Sequence, residues 1–245
     1  MHSTNTGDSV QAADSPRQSS DHLQQRLAEA ACYAVLRRIA PVLRHDVAGF
    51  LQPVRMLLLV LQRRVVVPEP DLPAITTHVA TVSALAKEAS TGCMDAMDWM
   101  APREDVVVSL RSCLNAAAKL LVMELSTQRL EITHNVSDDA TTIPVHFFRS
   151  VVMGALLAFC DQRTPGRILQ ISLEPDAGNS STPNRLVLQM LPGDGPDDHD
   201  LVPSLAIENP LRRIEWSDVE VMAGSFGVAT TRSQGWLAVA LPKSA

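Results

Sequence analysis

The sequence predicts an α+β chain, a long helical hairpin followed by an α/β sandwich. Three observations predict it. Two stretches, 22–64 and 74–99, carry apolar residues in steps of three and four, the rhythm of one buried helix face. A proline-rich turn at 67–73 joins them. Past Met100-Ala101-Pro102 the rhythm gives way to short alternating runs separated by short helices. Hydrophobic residues form 46% of the 245, enough to bury a sizeable core.

Residues 1–20 are polar and predict a disordered tail. Ser20 or Asp21 can cap the helix that follows, with Gln24 placed for a capping box. The first helix carries a stripe of Leu36, Ile39, Leu43, Val47, Phe50, Val54, Leu57 and Leu61. Pro41 marks a kink or a fresh helix start. Pro53, which removes the N–H that would bond the Gly49 carbonyl, predicts a bend. The second helix carries Ile75, Val79, Val82, Leu85, Ala89, Cys93, Ala96 and Trp99. A two-helix hairpin buries each stripe against one partner only. Two hairpins in a four-helix bundle cover the remainder, so a homodimer is expected.

Downstream, a strand is expected at 105–108, a helix at 109–125, a strand at 130–136 and a helix from Pro144 to Cys160. Strands at 168–173 and 185–191, a helix at 216–223 and strands at 228–231 and 236–241 complete the order. Helices on one face of a mixed sheet satisfy that order. The division is therefore a tail at 1–20, a hairpin at 21–100 and a sandwich at 101–245.

Bulk properties exclude several classes. A net charge of -6 and 4% aromatics argue against a nucleic-acid surface. Cys32, Cys93, Cys113 and Cys160 lie far apart in apolar segments and read as free thiols of a reducing compartment. No apolar run approaches the roughly 20 residues of a membrane span, and the polar N-terminus lacks a signal-peptide core. A cytoplasmic location with no membrane partner is the expectation.

Arg44-His45-Asp46 carries the chemistry. His45 lies two positions past Leu43, so its ring points away from the buried stripe. An exposed imidazole beside a carboxylate can accept and pass on a phosphoryl group once a ring nitrogen is unprotonated. Asp46 can hold the other ring N–H, and Arg44 can offset phosphoryl charge.

Three phrases in order resemble the sensor histidine kinases. They are Leu43-Arg44-His45-Asp46-Val47, FRSVVMGALLAFCDQRTPGRILQISL (148–173) and VEVMAGSFGVATTRSQGWLAVALP (219–242). The resemblance covers roughly residues 30–245. It implies a dimerisation and phosphoacceptor hairpin, with His45 as acceptor, followed by a Bergerat-like ATPase domain. The departures are specific. Val152–Ala158 holds none of the asparagines that secure Mg²⁺ and phosphates in that family. Gly193 stands where its adenine-binding acid is expected, leaving Asp194 as a displaced remnant, and 197–215 lacks lid glycines. Pro53 falls later after the histidine than in the commonest kinase box.

Transfer from ATP needs Mg²⁺ and donors to hold and neutralise the γ-phosphoryl. The degenerate domain therefore resembles that of the bacterial histidine phosphotransferases, which shuttle phosphoryl between response-regulator receiver domains. On that reading the chain needs no cofactor, its Mg²⁺ comes on the receiver, and ATP binds poorly. The receiver docks near His45, with Phe50, Val54 and Met56 as candidate contacts.

Two other readings stay open. One is a divergent kinase using Asp194 and Gly195, with Gly224 and Gly227 as phosphate-side backbone. The other is a non-catalytic dimeric adaptor that binds a receiver or a kinase. Asp197-Asp198-His199-Asp200 reads as a solvated acidic loop rather than a metal site. His78, His134 and His146 have no partner at ligand spacing, and neither a P-loop nor a GxSxG elbow is present.

Overall fold

A computed structural model describes residues 16–100, 106–136, 141–161, 167–175, 183–192 and 211–242. The first helix, α1 (Pro16–Val65), runs for 50 residues, about 75 Å at the usual rise. The antiparallel α2 (Leu72–Met100) returns along its second half. The expected tail is thus too long, because 16–20 are already helical and the proposed caps at Ser20 and Asp21 lie inside the helix. Residues 1–15 lie outside the described residues. Nor does Pro41 begin a new helix, since α1 continues through both prolines. Each proline frees a carbonyl four residues back, at Arg37 and Gly49. Arg37, Pro41, Gly49 and Pro53 are all at least partly exposed, so water can satisfy what the helix loses.

The buried stripe of α1 changes partner along its length. In the upper half, Ala31, Val35, Ile39 and Leu43 enter the same core as the downstream helices and sheet. Burial of Val35, Ile39 and Leu43 stabilises the chain by about 1.5–3 kcal/mol each. In the lower half the stripe turns to α2, and Val47, Val54, Leu57 and Leu61 are only half-buried. The Phe50 ring packs over Gly92, where an added Cβ would come within 2.4 Å of it.

After α2 come β1 (Val107–Ser109), α3 (Leu110–Leu120), α4 (Val122–Gln128), β2 (Glu131–His134) and β3 (Thr142–Pro144). The Ser109 hydroxyl accepts from the Ser112 N–H and caps α3. The single helix expected at 109–125 is two, broken at Leu121. The three-residue β3 is an addition to the expected order; it pairs antiparallel with β1. Next, α5 (Val145–Phe147) passes through a π-helical stretch, Phe148–Val152, into α6 (Met153–Asp161). Then come β4 (Arg167–Pro175), β5 (Pro183–Pro192), α7 (Trp216–Ser225), β6 (Thr230–Ser233) and β7 (Trp236–Ala240).

The main sheet has the order β2-β4-β5-β7-β6. Only β2 and β4 are parallel, so the sheet is mixed, as expected. Leu169, Ile171, Leu186, Leu188, Leu237 and Val239 present one face of it to the helices.

All four cysteines are free thiols. Burial pushes the Cys160 thiol up to about 12 and that of Cys113 up to about 11. The thiolate is the reactive form. Brief iodoacetamide treatment of the native chain at mildly alkaline pH should therefore leave Cys160 unmodified, while the urea-unfolded chain reacts fully. Peptide mass spectrometry reads this directly, and rapid native alkylation of Cys160 would show that the core opens readily.

Candidate phosphoacceptor site

His45 projects from α1 where that helix leaves the sandwich. Leu43 is the last residue of α1 in the core cluster, and two positions on, the His45 side chain is 86% exposed. Its Nδ1 lies 3.4 Å from Asp46 Oδ1, a long contact to a half-exposed carboxylate. With Nδ1–H donating to Asp46, Nε2 carries the lone pair and faces solvent. Arg44 is exposed beside them. The sequence triplet thus remains together in space, and the only polar partner of His45 among the described residues is Asp46.

Sequence reasoning missed what fixes this part of α1. Arg38 lies seven residues before His45, two turns away on the same side of the helix, and is buried. Its guanidinium donates to both Glu124 oxygens at 3.0 Å and to Asp161 Oδ2 at 2.9 Å. Asp161 also accepts the Ile214 N–H at 2.9 Å. One arginine therefore ties α1 to α4, to the end of α6 and to the segment before α7. Burial works against the Arg38 charge, but Glu124 and Asp161 outweigh it and hold the guanidinium above its ordinary value. At Glu124 the balance is reversed: burial pushes the carboxyl up and Arg38 only partly offsets it. A charged residue next to Ile39 in a buried stripe was the available signal.

The helix that the kinase resemblance assigns to nucleotide binding is closed. Every residue from Val151 to Cys160 is buried. A Cβ at Gly154 would come within 2.5 Å of Met222 Cε from α7 and 3.4 Å of Val35 Cγ2 from α1. Gly227 follows α7 in the left-handed region at φ 66°, where it reverses the chain. Gly224 lies within α7. Asp194, Gly195 and the acidic 197–200 loop lie outside the described residues. Among the described residues no group of three or more His, Cys, Asp or Glu side chains could hold a metal. No described helix is long and apolar enough to cross a membrane. His78 Nδ1 bonds the Ala74 carbonyl; His134 Nε2 contacts Asn115, while its Nδ1 is buried with no hydrogen-bond partner among the described residues.

No protein-family model matches the chain, and no curated protein does. Solved structures do. The Acinetobacter baumannii histidine kinase AdeS is 15% identical, over 79% of this chain and 98% of its own, with a TM-score of 0.38. The cytoplasmic segment of histidine kinase QseC is 10% identical, over 64% of this chain and 93% of its own, with a TM-score of 0.37. Histidine kinase ThkA, solved in complex with response regulator protein TrrA, is 10% identical, over 95% of this chain and 68% of its own, with a TM-score of 0.37. The fold rests on the chain's own elements and sheet order, and the chemistry on the residues themselves.

Proposed function

We propose that this chain is a dimeric histidine phosphotransferase of a two-component phosphorelay, with His45 as the phosphoryl carrier. The observation that carries this reading is the exposed His45 ring, oriented by Asp46, just beyond a clamped stretch of helix. Nε2 attacks the phosphorus of an aspartyl phosphate on a docked receiver. The P–N bond forms as the P–O bond breaks, and the electron pair returns to the receiver carboxylate. A second receiver's carboxylate then attacks phosphorus, the P–N bond breaks, and its electrons return to Nε2. Magnesium on the receivers neutralises the transferring charge, so the chain needs no ligand set of its own.

The closed helix favours this over a kinase. An asparagine at Gly154 would meet the terminal methyl of Met222, which would have to move, and every residue from 151 to 160 is buried. That burial, with the missing asparagines, supports the reading that the phosphoryl does not come from Mg-ATP bound by this chain. The direct test supplies one receiver carrying labelled phosphoryl, a second unlabelled receiver and the full chain. Label should reach the second receiver only through a chain with His45. Transfer undiminished in His45→Ala would overturn the proposal, and a His45 variant that kept full biological effect would favour the adaptor.

Dimerisation accounts for the surface that the hairpin leaves uncovered. Leu51, Leu58 and Leu59 on α1, and Val79, Met94 and Met97 on α2, are each 42–56% exposed. Leu51 and Leu58 stand seven residues apart, on one row that flanks the stripe facing α2. A soluble monomer rarely leaves so large an apolar surface open. Light scattering should give twice the chain mass for the wild type and a single chain mass for Leu51→Glu/Leu58→Glu. A double variant that stayed dimeric would place the interface elsewhere.

A further inference from the structure

A second site lies where the hairpin meets the sandwich. Leu36 and Ile39 of α1, Trp99 and Met100 at the end of α2, Arg149 in the π-helical stretch and Phe226 after α7 line a cavity of about 340 Å³. That falls at the small end of ligand pockets, roughly 300–1,000 Å³. Its walls are almost wholly carbon, and one permanent cation sits among them. The Arg149 guanidinium stacks on the Trp99 ring at 4.8 Å and donates to the Asp98 backbone carbonyl. Among the described residues no carboxylate pairs with it. Burial draws its pKa down, against the electrostatic pull of Asp98, Cys113 and Asp95. In the same wall His146 Nδ1 is buried with no hydrogen-bond partner among the described residues.

A half-buried cation without an anion costs stability, and an apolar cavity of this size beside it costs packing. One kind of ligand relieves both. We infer that this junction pocket binds a small apolar carboxylate, an aryl or medium-chain aliphatic acid. Its carbon skeleton fills the space between Leu36, Ile39 and Phe226, and its carboxylate meets the Arg149 guanidinium. Because the walls come from both hairpin and sandwich, an occupant fixes one against the other. The inference does not depend on phosphotransfer at His45.

Calorimetry on the full chain with octanoate and with 1-naphthoate tests it, with octanamide as the uncharged control. At least one acid should saturate at one site per chain. Arg149→Met should weaken the acids by about tenfold or more, as loss of a desolvated charge partner does, and leave octanamide unchanged. Leu36→Trp, which fills the cavity and keeps the guanidinium, should abolish binding of both classes while circular dichroism stays native. It serves as the deciding variant if Arg149→Met does not fold. Absence of saturable heat up to millimolar acid, or acid binding that survives Leu36→Trp, overturns the proposal. Equal acid affinity in a folded Arg149→Met does the same.

Discussion

A chain carrying His45→Ala should pass no label between receivers above the background of the receivers alone, while its fold and dimer mass stay unchanged. The separation of the two effects is the point. The His45 side chain is 86% exposed and packs on nothing in the core, so its removal leaves the structure intact and deletes only the nucleophile. Captured label on the wild-type chain should be lost in acid and survive alkali, as a phosphoramidate does and an aspartyl phosphate does not. Asp46→Asn should have a smaller effect. The carboxylate orients the ring and selects the Nδ1–H tautomer, but through a long, half-exposed contact of 3.4 Å. Transfer should fall by about tenfold, below the hundredfold or so that misplacing a reacting group can cost. A loss in Asp46→Asn as complete as in His45→Ala would assign the carboxylate a direct part in the chemistry. Wild-type transfer in His45→Ala would remove the acceptor role altogether.

The triplet is legible in the sequence because its logic is local. Its position two residues past Leu43 fixes the exposure of His45, and adjacency brings Asp46 to the ring. The hairpin is legible for the same reason: a three-four rhythm over more than twenty residues has no other regular solution. The alternation around Leu186–Leu188 and Leu237–Val239 likewise marks central strands of the sheet.

Features that depend on distant partners are not legible. Arg38 contacts residues 86 and 123 positions away, and nothing near it in the chain announces either one. The short β3 exists because β1 pairs with it, not because three residues declare a strand. The π-helical stretch at Phe148–Val152, with Phe147 and Phe148 buried, is nothing that periodicity reports. Proline misleads in the other direction. Pro41 suggests a boundary, yet the Arg37 carbonyl it frees can meet water and the helix continues. The change of partner along α1 is equally hidden. Val35 takes the fully buried position in the upper half, and the expected stripe residue Leu36 is left half-buried at the junction pocket.

Arg38→Met is expected to destabilise the folded chain by about 3 kcal/mol at neutral pH, the lower end of the cost of removing one partner from a buried ion pair. Two carboxylates then remain together, with side chains only 24% and 15% exposed and their shared cation gone. The pH dependence identifies the cause. Burial already holds Glu124 above the ordinary carboxylate range, and Arg38 is what restrains it; Asp161 pushes in the same direction as burial. Without Arg38 the folded-state value rises further. A group raised in the fold contributes stability that is fully present below its unfolded pKa and lost as pH rises through the folded one. The deficit of Arg38→Met should therefore be largest near neutrality and shrink on acidification, as Glu124 gains its proton in the fold before it does in the unfolded chain. Adding Glu124→Leu should recover most of the loss, because an apolar replacement leaves one carboxylate, and Asp161 keeps the Ile214 N–H. Urea denaturation at neutral and mildly acidic pH measures all three chains. An Arg38→Met midpoint equal to wild type at both pH values would mean that the ion cluster clamps nothing. α1 would then be held to the sandwich by Ala31, Val35, Ile39 and Leu43 alone.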